Sequence, residues 1–316
     1  MDTPKTLLEA ITYFSNAENC RQFMVSIRWA DGIVRCPVCG SDKVTYMEKS
    51  RLYNCKTKHP KQKFSLKVGT IFEDSPIGLE KWLPATWLLS NCKNGVSSYE
   101  IARALGVTQK SAWHMLHRIR EAMTDTTGQI GGNGPVEMDE TFVGGKVKNM
   151  HKSKKPVGPG VTGKPTGSTA KTIVVGMLER GGRVKAKVVQ DRTKDSLEQL
   201  AQTHVAEGST LITDEWSGYR ETAYEHEIIN HAMEYVNGHV HTNGIENFWS
   251  LLKRSLGGTY ISVEPFHLDA YVAEQVFRYN NRKDSDDFTR FSTCLMGVTG
   301  KRLTYKALIQ RPTGIN

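Results

Sequence analysis

The sequence predicts an α/β domain preceded by a small cysteine-bearing module and a helical region. Three observations carry this. Beyond residue 134, strand-like runs at 135–144, 172–179, 183–190 and 210–213 interleave with helical patterns at 196–205, 241–256 and 265–279, and such mixing in one stretch of chain is α/β organisation. Cys36, Cys39 and Cys55 crowd into a short basic segment. Between Leu79 and Met123 the apolar residues keep helical spacing, with polar breaks at 91–98 and 106–109.

Taken in order, Thr6 to Met24 carries a helical rhythm and predicts one leading helix within an N-terminal segment, 1–30. Residues 31–75 form the cysteine module and 76–125 the helical region. Thr124 to Gly134 is a Gly-containing linker. The main domain spans 134–290, with a basic insertion at 146–171, and 291–316 reads as a C-terminal tail. Gly181-Gly182 between two strand-like runs signals a hairpin.

The 316 residues carry 42 Lys plus Arg against 33 Asp plus Glu, a net charge of +9 that favours a polyanionic partner. No apolar run reaches the eighteen residues of a membrane span, and no apolar segment follows Met1-Asp2 as in a secretory signal. Six cysteines are too sparse for a disulfide scaffold, so Cys20, Cys92 and Cys294 read as core thiols in a reduced, cytoplasmic protein.

Cys36-Pro37-Val38-Cys39-Gly40 is a CxxC knuckle that aims two thiolates at one centre; Cys55 and His59 offer the second ligand pair of a tetrahedral Zn²⁺ site. Pro37 and Gly40 fit a knuckle turn better than the helix start of a redox CxxC. Between Lys43 and Lys67 stand eight Lys or Arg residues and one acid, Glu48, interleaved with Tyr46, Tyr53 and Phe64, an arrangement expected of a phosphate-contacting face.

Ser97 and Glu100 have capping-box spacing, Gly106 makes a tight break, and Thr108 can cap a second helix. That helix offers Gln109, Lys110, His114, Arg118 and Arg120 opposite an apolar stripe, the pattern of a DNA-reading helix-turn-helix; a plain helical hairpin looks similar.

Asp139 sits mid-strand in Glu137-Met138-Asp139-Glu140-Thr141-Phe142-Val143-Gly144-Gly145, on one side with Thr141 and Val143. An ionisable residue there is costly unless paired or bound to a cation. Asp214 ends an apolar strand, where α/β sites gather. On the 241–256 helix, Asn243, Glu246, Ser250 and Lys253 share one stripe, and Ile245, Phe248, Trp249, Leu252 and Leu256 another. Three converging carboxylates could hold two Mg²⁺ or Mn²⁺ ions and act on a phosphodiester.

The order of CxxC ribbon, paired helices, Asp139-to-Gly145, Asp214-Glu215-Trp216-Ser217-Gly218-Tyr219 and the long run from His239 to Arg254 closely resembles bacterial insertion-sequence transposases of the ISXO2-like, Merlin-related group. The resemblance implies a ribonuclease-H-like catalytic core preceded by a zinc ribbon and a helix-turn-helix region. It implies an Asp-Asp-Glu set at Asp139, Asp214 and Glu246, with Asn243 on the same face, cutting element ends and joining 3′ ends to target DNA. Double-stranded DNA and a homo-oligomer are the implied partners. His239 and His241 become candidates for DNA or carboxylate contact, and Lys253 and Arg254 for phosphate contact on DNA. The fourth ribbon ligand is commonly cysteine in that group, whereas this chain offers His59.

The insertion from Lys146 to Lys171 has seven lysines, Lys154 and Lys155 among them, and no acid; it is expected to be mobile and to neutralise phosphates on DNA. Lys164 stands outside a P-loop frame, which argues against nucleotide hydrolysis. Two competing functions remain: a zinc-containing transcriptional regulator without catalysis, and a nuclease on the same core that lacks strand joining.

Overall fold

A computed structural model describes residues 3–145, 171–214, 224–229 and 242–310. The chain forms two compact units, Met1–Thr124 with Asn281–Asn316, and Asp125–Asn280.

The first unit opens with α1 (Leu7–Phe14) and α2 (Ala17–Arg28) instead of one leading helix. The break falls at Asn16, whose side chain accepts from the Glu18 and Asn19 N–H groups; such a local bond offers the backbone an alternative to continuing the helix. A three-stranded antiparallel ribbon follows, β1 (Val44–Met47), β2 (Leu52–Cys55) and β3 (Lys63–Phe64). Then come α3 (Leu79–Asn91), α4 (Ser98–Leu105) and α5 (Gln109–Ala122). The Ser97–Glu100 capping box is present, Gly106 turns the chain at φ +59°, where a side chain would be strained, and Thr108 caps α5.

The second unit is built on a five-stranded sheet, β4 (Val136–Val143), β5 (Thr172–Glu179), β6 (Val184–Val189), β7 (Thr210–Asp214) and β8 (Glu225–Ile229), in the order β6-β5-β4-β7-β8. β4, β5 and β6 pair antiparallel, whereas β7 and β8 add in parallel. On one face Val136, Met138, Val175 and Met177 pack against Leu197, Ala201 and Val205 of α6 (Lys194–His204) and its end. On the other, Val174, Leu178, Val184 and Ala186 pack against α7 (Asn243–Ser255) and α8 (Leu268–Asn280) through Ile245, Phe248, Trp249, Leu252, Val272 and Val276. Each large buried side chain contributes roughly 1.5–3 kcal/mol. β8 is not evident in the sequence, because Glu225, His226 and Glu227 break any apolar rhythm; such charges suit a sheet edge.

The chain then returns to the first unit as α9 (Asp287–Met296) and α10 (Tyr305–Ile309). The segment expected as a tail, 291–316, is thus structured over 291–310, and the second unit ends at 280 and not 290. Phe291 is fully buried, with ring centroids 5.6 Å from Phe14 and Phe23 and 5.1 Å from Trp87. Its partners lie some two hundred residues upstream or more, so local periodicity could not disclose them. The insertion 146–170 lies outside the described residues. No helix among the described residues is long and apolar enough to cross a membrane.

Candidate functional site

The ribbon brings together all four predicted metal ligands: the Sγ atoms of Cys36, Cys39 and Cys55 and a ring nitrogen of His59 lie within 4.8 Å of one another. Cys39 Sγ is 3.7 Å from Cys55 Sγ, and Cys36 Sγ is 3.4 Å from His59 Nε2. Tetrahedral zinc with bonds of about 2.3 Å to sulfur and about 2.0 Å to nitrogen separates its ligands by roughly 3.6–3.8 Å, so the four positions fit that ion. His59 Nδ1 lies 2.6 Å from the Pro60 carbonyl; a proton there leaves Nε2 with a lone pair for the metal. Desolvation raises the Cys55 thiol, but the Thr57 amide and the neighbouring sulfurs outweigh it and hold the group below its ordinary value, whereas Cys39, against the Ser41 amide, is held above its own by desolvation and by Cys55 and Cys36.

Tyr53 and Phe64 do not form part of a phosphate-contacting face. They are buried and stacked at 5.5 Å, while Arg21 lies over the Tyr46 ring. With so few residues, the ribbon needs its aromatics as core. Lys43, Lys49, Arg51, Lys56, Lys58, Lys61 and Lys63 are exposed, and Lys67 binds the carbonyls of Ser75 and Ile77.

The expected reading face of α5 is also corrected. Arg118 and Arg120 are buried, and Arg118 donates to the carbonyls of Ile71, Glu73 and Leu303. His114 also contacts the Leu303 carbonyl and packs against Tyr305, whose ring lies under Lys110. Residues 303–305 thus cover much of the α5 surface assigned to DNA. Lys110 remains exposed and Gln109 half-buried, donating to Ser98.

In the second unit, Asp139 lies on β4, the central strand. β7 runs parallel beside it, with Glu137 opposite Ile212; Asp139 and Asp214 each lie two residues further on, so they occupy matching levels of neighbouring strands. Asp214 is described in its backbone alone. Helix α7 presents Asn243, Glu246, Ser250 and Lys253 to solvent and buries Ile245, Phe248, Trp249 and Leu252, with Leu256 buried just beyond its end, as the spacing predicted; Arg254 is exposed as well. It docks at the first carboxylate: Trp249 Nε1 donates to Asp139 Oδ2 at 2.8 Å. Glu246 stands one turn earlier on that helix, with the Thr242 hydroxyl 3.4 Å from its Oε1. His239, His241, Lys154 and Lys155 lie outside the described residues.

Sequence reasoning missed two groups. Glu137, fully buried, accepts from the Ile245 backbone N–H at 2.9 Å and from Arg180 Nε at 3.1 Å. Its position two residues before Asp139 put it on the same strand face, and that was the available signal. Glu140 faces the other way, where Arg192 pairs with it at 2.9 Å and stacks on Phe142.

Comparison with known proteins agrees with this architecture. Residues 132–280 match the ISXO2-like transposase domain and residues 15–57 the transposase zinc-ribbon domain. The ribbon match stops two residues before His59, so it is the geometry that adds this ligand. Over 283 residues the chain is 26% identical to an uncharacterized protein in transposable element ISH50 of Halobacterium salinarum, covering 85% of this chain and 94% of that protein. Over 102 residues it is 28% identical to an uncharacterized transposase-like protein of Haemophilus influenzae, covering 31% of this chain and 82% of the relative. With the ribbon and the sheet domain both matched, in that order along the chain, this protein belongs to the ISXO2-like transposase family.

Proposed function

We propose that the chain is a divalent-metal-dependent DNA transposase that binds the terminal inverted repeats of its insertion sequence, cleaves there and joins the freed 3′ ends to target DNA. One observation carries the reading: Asp139 and Asp214 share a level on adjacent parallel strands, and the helix bearing Glu246 is hydrogen-bonded to Asp139. Three consecutive antiparallel strands with two more added in parallel support a ribonuclease-H-like core.

Asp139, Asp214 and Glu246 would hold the metal ions. The donor set fits, because hard divalent cations prefer carboxylate oxygens, and Glu246 is open to solvent. Two Mg²⁺ ions, or Mn²⁺ in their place, when bound supply Lewis acidity for attack at phosphorus and stabilise the departing oxygen. In the first step water attacks a phosphodiester, the P–O3′ bond breaks, and a 3′-hydroxyl is freed. In the second, that hydroxyl attacks a target phosphodiester, forming a new P–O bond and expelling the target's 3′ oxygen. Asn243 lies one turn before Glu246 on the exposed stripe and orients substrate there; Lys253 and Arg254 neutralise phosphate further along the helix. The ribbon's exposed cations and the part of the α4–α5 pair that stays uncovered, with Lys110 on it, hold double-stranded DNA. Two element ends must be held together, so at least two copies act on DNA.

The test is cleavage and strand transfer on the flanking inverted repeats with Mg²⁺. Glu246→Gln and Asp139→Asn each reduce both steps by roughly a hundredfold or more. Undiminished cleavage by either variant overturns the reading, and cleavage without joining would make the protein a nuclease.

A further inference from the structure

Two hydrogen bonds clamp helix α7 to strand β4. Glu137 Oε2 accepts from the Ile245 backbone N–H at 2.9 Å, and Asp139 Oδ2 accepts from Trp249 Nε1 at 2.8 Å. Glu137 and Asp139 are two residues apart on one strand face, a step of about 6.6 Å. Ile245 and Trp249 are four residues apart on one helix face, a step of about 6 Å. The two steps nearly match, so both bonds form together, and a helix held at two points one turn apart can neither slide along the strand nor roll.

Two glycines make room for this arrangement. A Cβ at Gly244 would lie 2.7 Å from Glu137 Oε2, and one at Gly176, directly across the sheet from Asp139, would lie 2.6 Å from the Trp249 ring. The Thr242 side chain makes no capping bond to α7, and Glu137 supplies a carboxylate acceptor there from another element. A negative group at a helix N-terminus also suits the helix dipole. Arg180 pairs with the other Glu137 oxygen, which offsets the cost of burying the charge. Trp249 lies three residues beyond Glu246, so a single helical turn carries both the third carboxylate and the donor that meets the first.

We propose that Trp249 and Glu137 are positioning residues of the carboxylate centre: the Trp249 indole N–H sets the orientation of the Asp139 carboxylate, and Glu137 sets the height of α7, so that Asp139 and Glu246 stand ready for a divalent cation before it binds. The proposal rests on reading Asp139, Asp214 and Glu246 as metal ligands. A carboxylate has about four lone-pair directions, so one N–H contact is compatible with ligation.

The test uses full-length zinc-loaded protein. Trp249→Phe keeps an aromatic ring beside Gly176 and removes the N–H; Glu137→Gln keeps an oxygen for Ile245 and removes the charge facing Arg180. Mn²⁺ binding without DNA is measured by electron paramagnetic resonance, and end cleavage is measured across a Mg²⁺ series. Loss of outer partners of metal ligands lowers metal affinity roughly 10–100-fold. Trp249→Phe is therefore expected to weaken Mn²⁺ binding and raise the Mg²⁺ requirement by that factor, while cleavage at saturating Mg²⁺ returns to within a few-fold of wild type. Glu137→Gln shifts both in the same direction and serves as the deciding variant if Trp249→Phe does not fold. Unchanged Mn²⁺ affinity and Mg²⁺ dependence in the folded variants overturn the positioning role, as does a lowered melting temperature with no change in metal dependence. Asp139→Asn separates the two readings. If it retains Mn²⁺ binding and cleavage, the carboxylate assignment itself falls; if it loses both while Trp249→Phe changes nothing, only the positioning role falls.

Discussion

Arg118 Nε donates to the Leu303 carbonyl at 2.8 Å, closing a span of 185 positions. A second guanidinium nitrogen reaches the Ile71 and Glu73 carbonyls at 3.1 and 2.8 Å. One side chain thus ties α5 both to the segment before α3 and to the C-terminal strap. Arg118→Met removes all three bonds and leaves part-buried carbonyls without their donor. A loss of roughly 2–4 kcal/mol in the first unit's stability is expected, whereas Lys110→Ala at the exposed end of α5 stays within about 0.5 kcal/mol. Denaturant unfolding of the two variants checks this.

The same contact gives a pH dependence. Burial holds the His114 imidazole below its ordinary value, and the adjacent Arg118 charge adds to this, against the opposing Leu303 carbonyl. Tyr305 and Lys110 are the other groups at this face. A depressed folded-state value means the unfolded chain binds the proton more readily, so the contribution is complete above the ordinary value of 6.5 and is lost as pH falls below it. Stability of the first unit is expected to fall as pH drops below 6.5 in wild type and less steeply in His114→Gln. An unchanged slope in that variant would count against the assignment.

Zinc should be stoichiometric at one ion per chain by elemental analysis. Structural zinc contributes apparent free energies of about 10–16 kcal/mol in small modules, so a chelator or Cys55→Ser is expected to unfold β1–β3. His59→Cys preserves the ion, because thiolate and imidazole both suit tetrahedral zinc, and His59→Ala lowers its retention.

Gly176→Ala and Gly244→Ala are expected to destabilise the second unit by roughly 1–3 kcal/mol each, the usual cost of overpacking. Alanine otherwise favours strands and helices over glycine, so the sign of the change reports whether the Trp249 ring and the Glu137 carboxylate are held as rigidly as their bonds indicate. Thermal melts of the isolated variants read it directly.

Replacing Lys49, Arg51, Lys56 and Lys58 with alanine is expected to weaken binding to all DNA sequences alike and to flatten the salt dependence. Each lost phosphate contact removes about 0.9 from the slope of log K against log salt. A change confined to one sequence would instead point to base reading by the ribbon.

Most of the backbone plan was legible in the sequence because it is written in local patterns. Strand-like runs and the Gly181-Gly182 turn marked β4 to β6, the capping box and Gly106 marked α4 and α5, and the two-stripe rhythm of α7 separated the residues it buries from those it exposes. The CxxC spacing with Cys55 and His59 named four ligands that meet in space. β8 and the break at Asn16 escaped, because a charged edge strand and a side-chain cap both interrupt apolar periodicity.

The sequence alone therefore determined the two modules, their order, the ligand set of the ribbon and which face of α7 carries Glu246. Only the tertiary structure decided what surrounds those residues. It put Arg118 under Leu303 instead of against DNA, drew 291–310 into the first unit, and set Trp249 and Glu137 between β4 and α7. The reason is physical: periodicity tells a side chain which way to face, but burial and hydrogen bonding depend on which distant segment arrives to meet it.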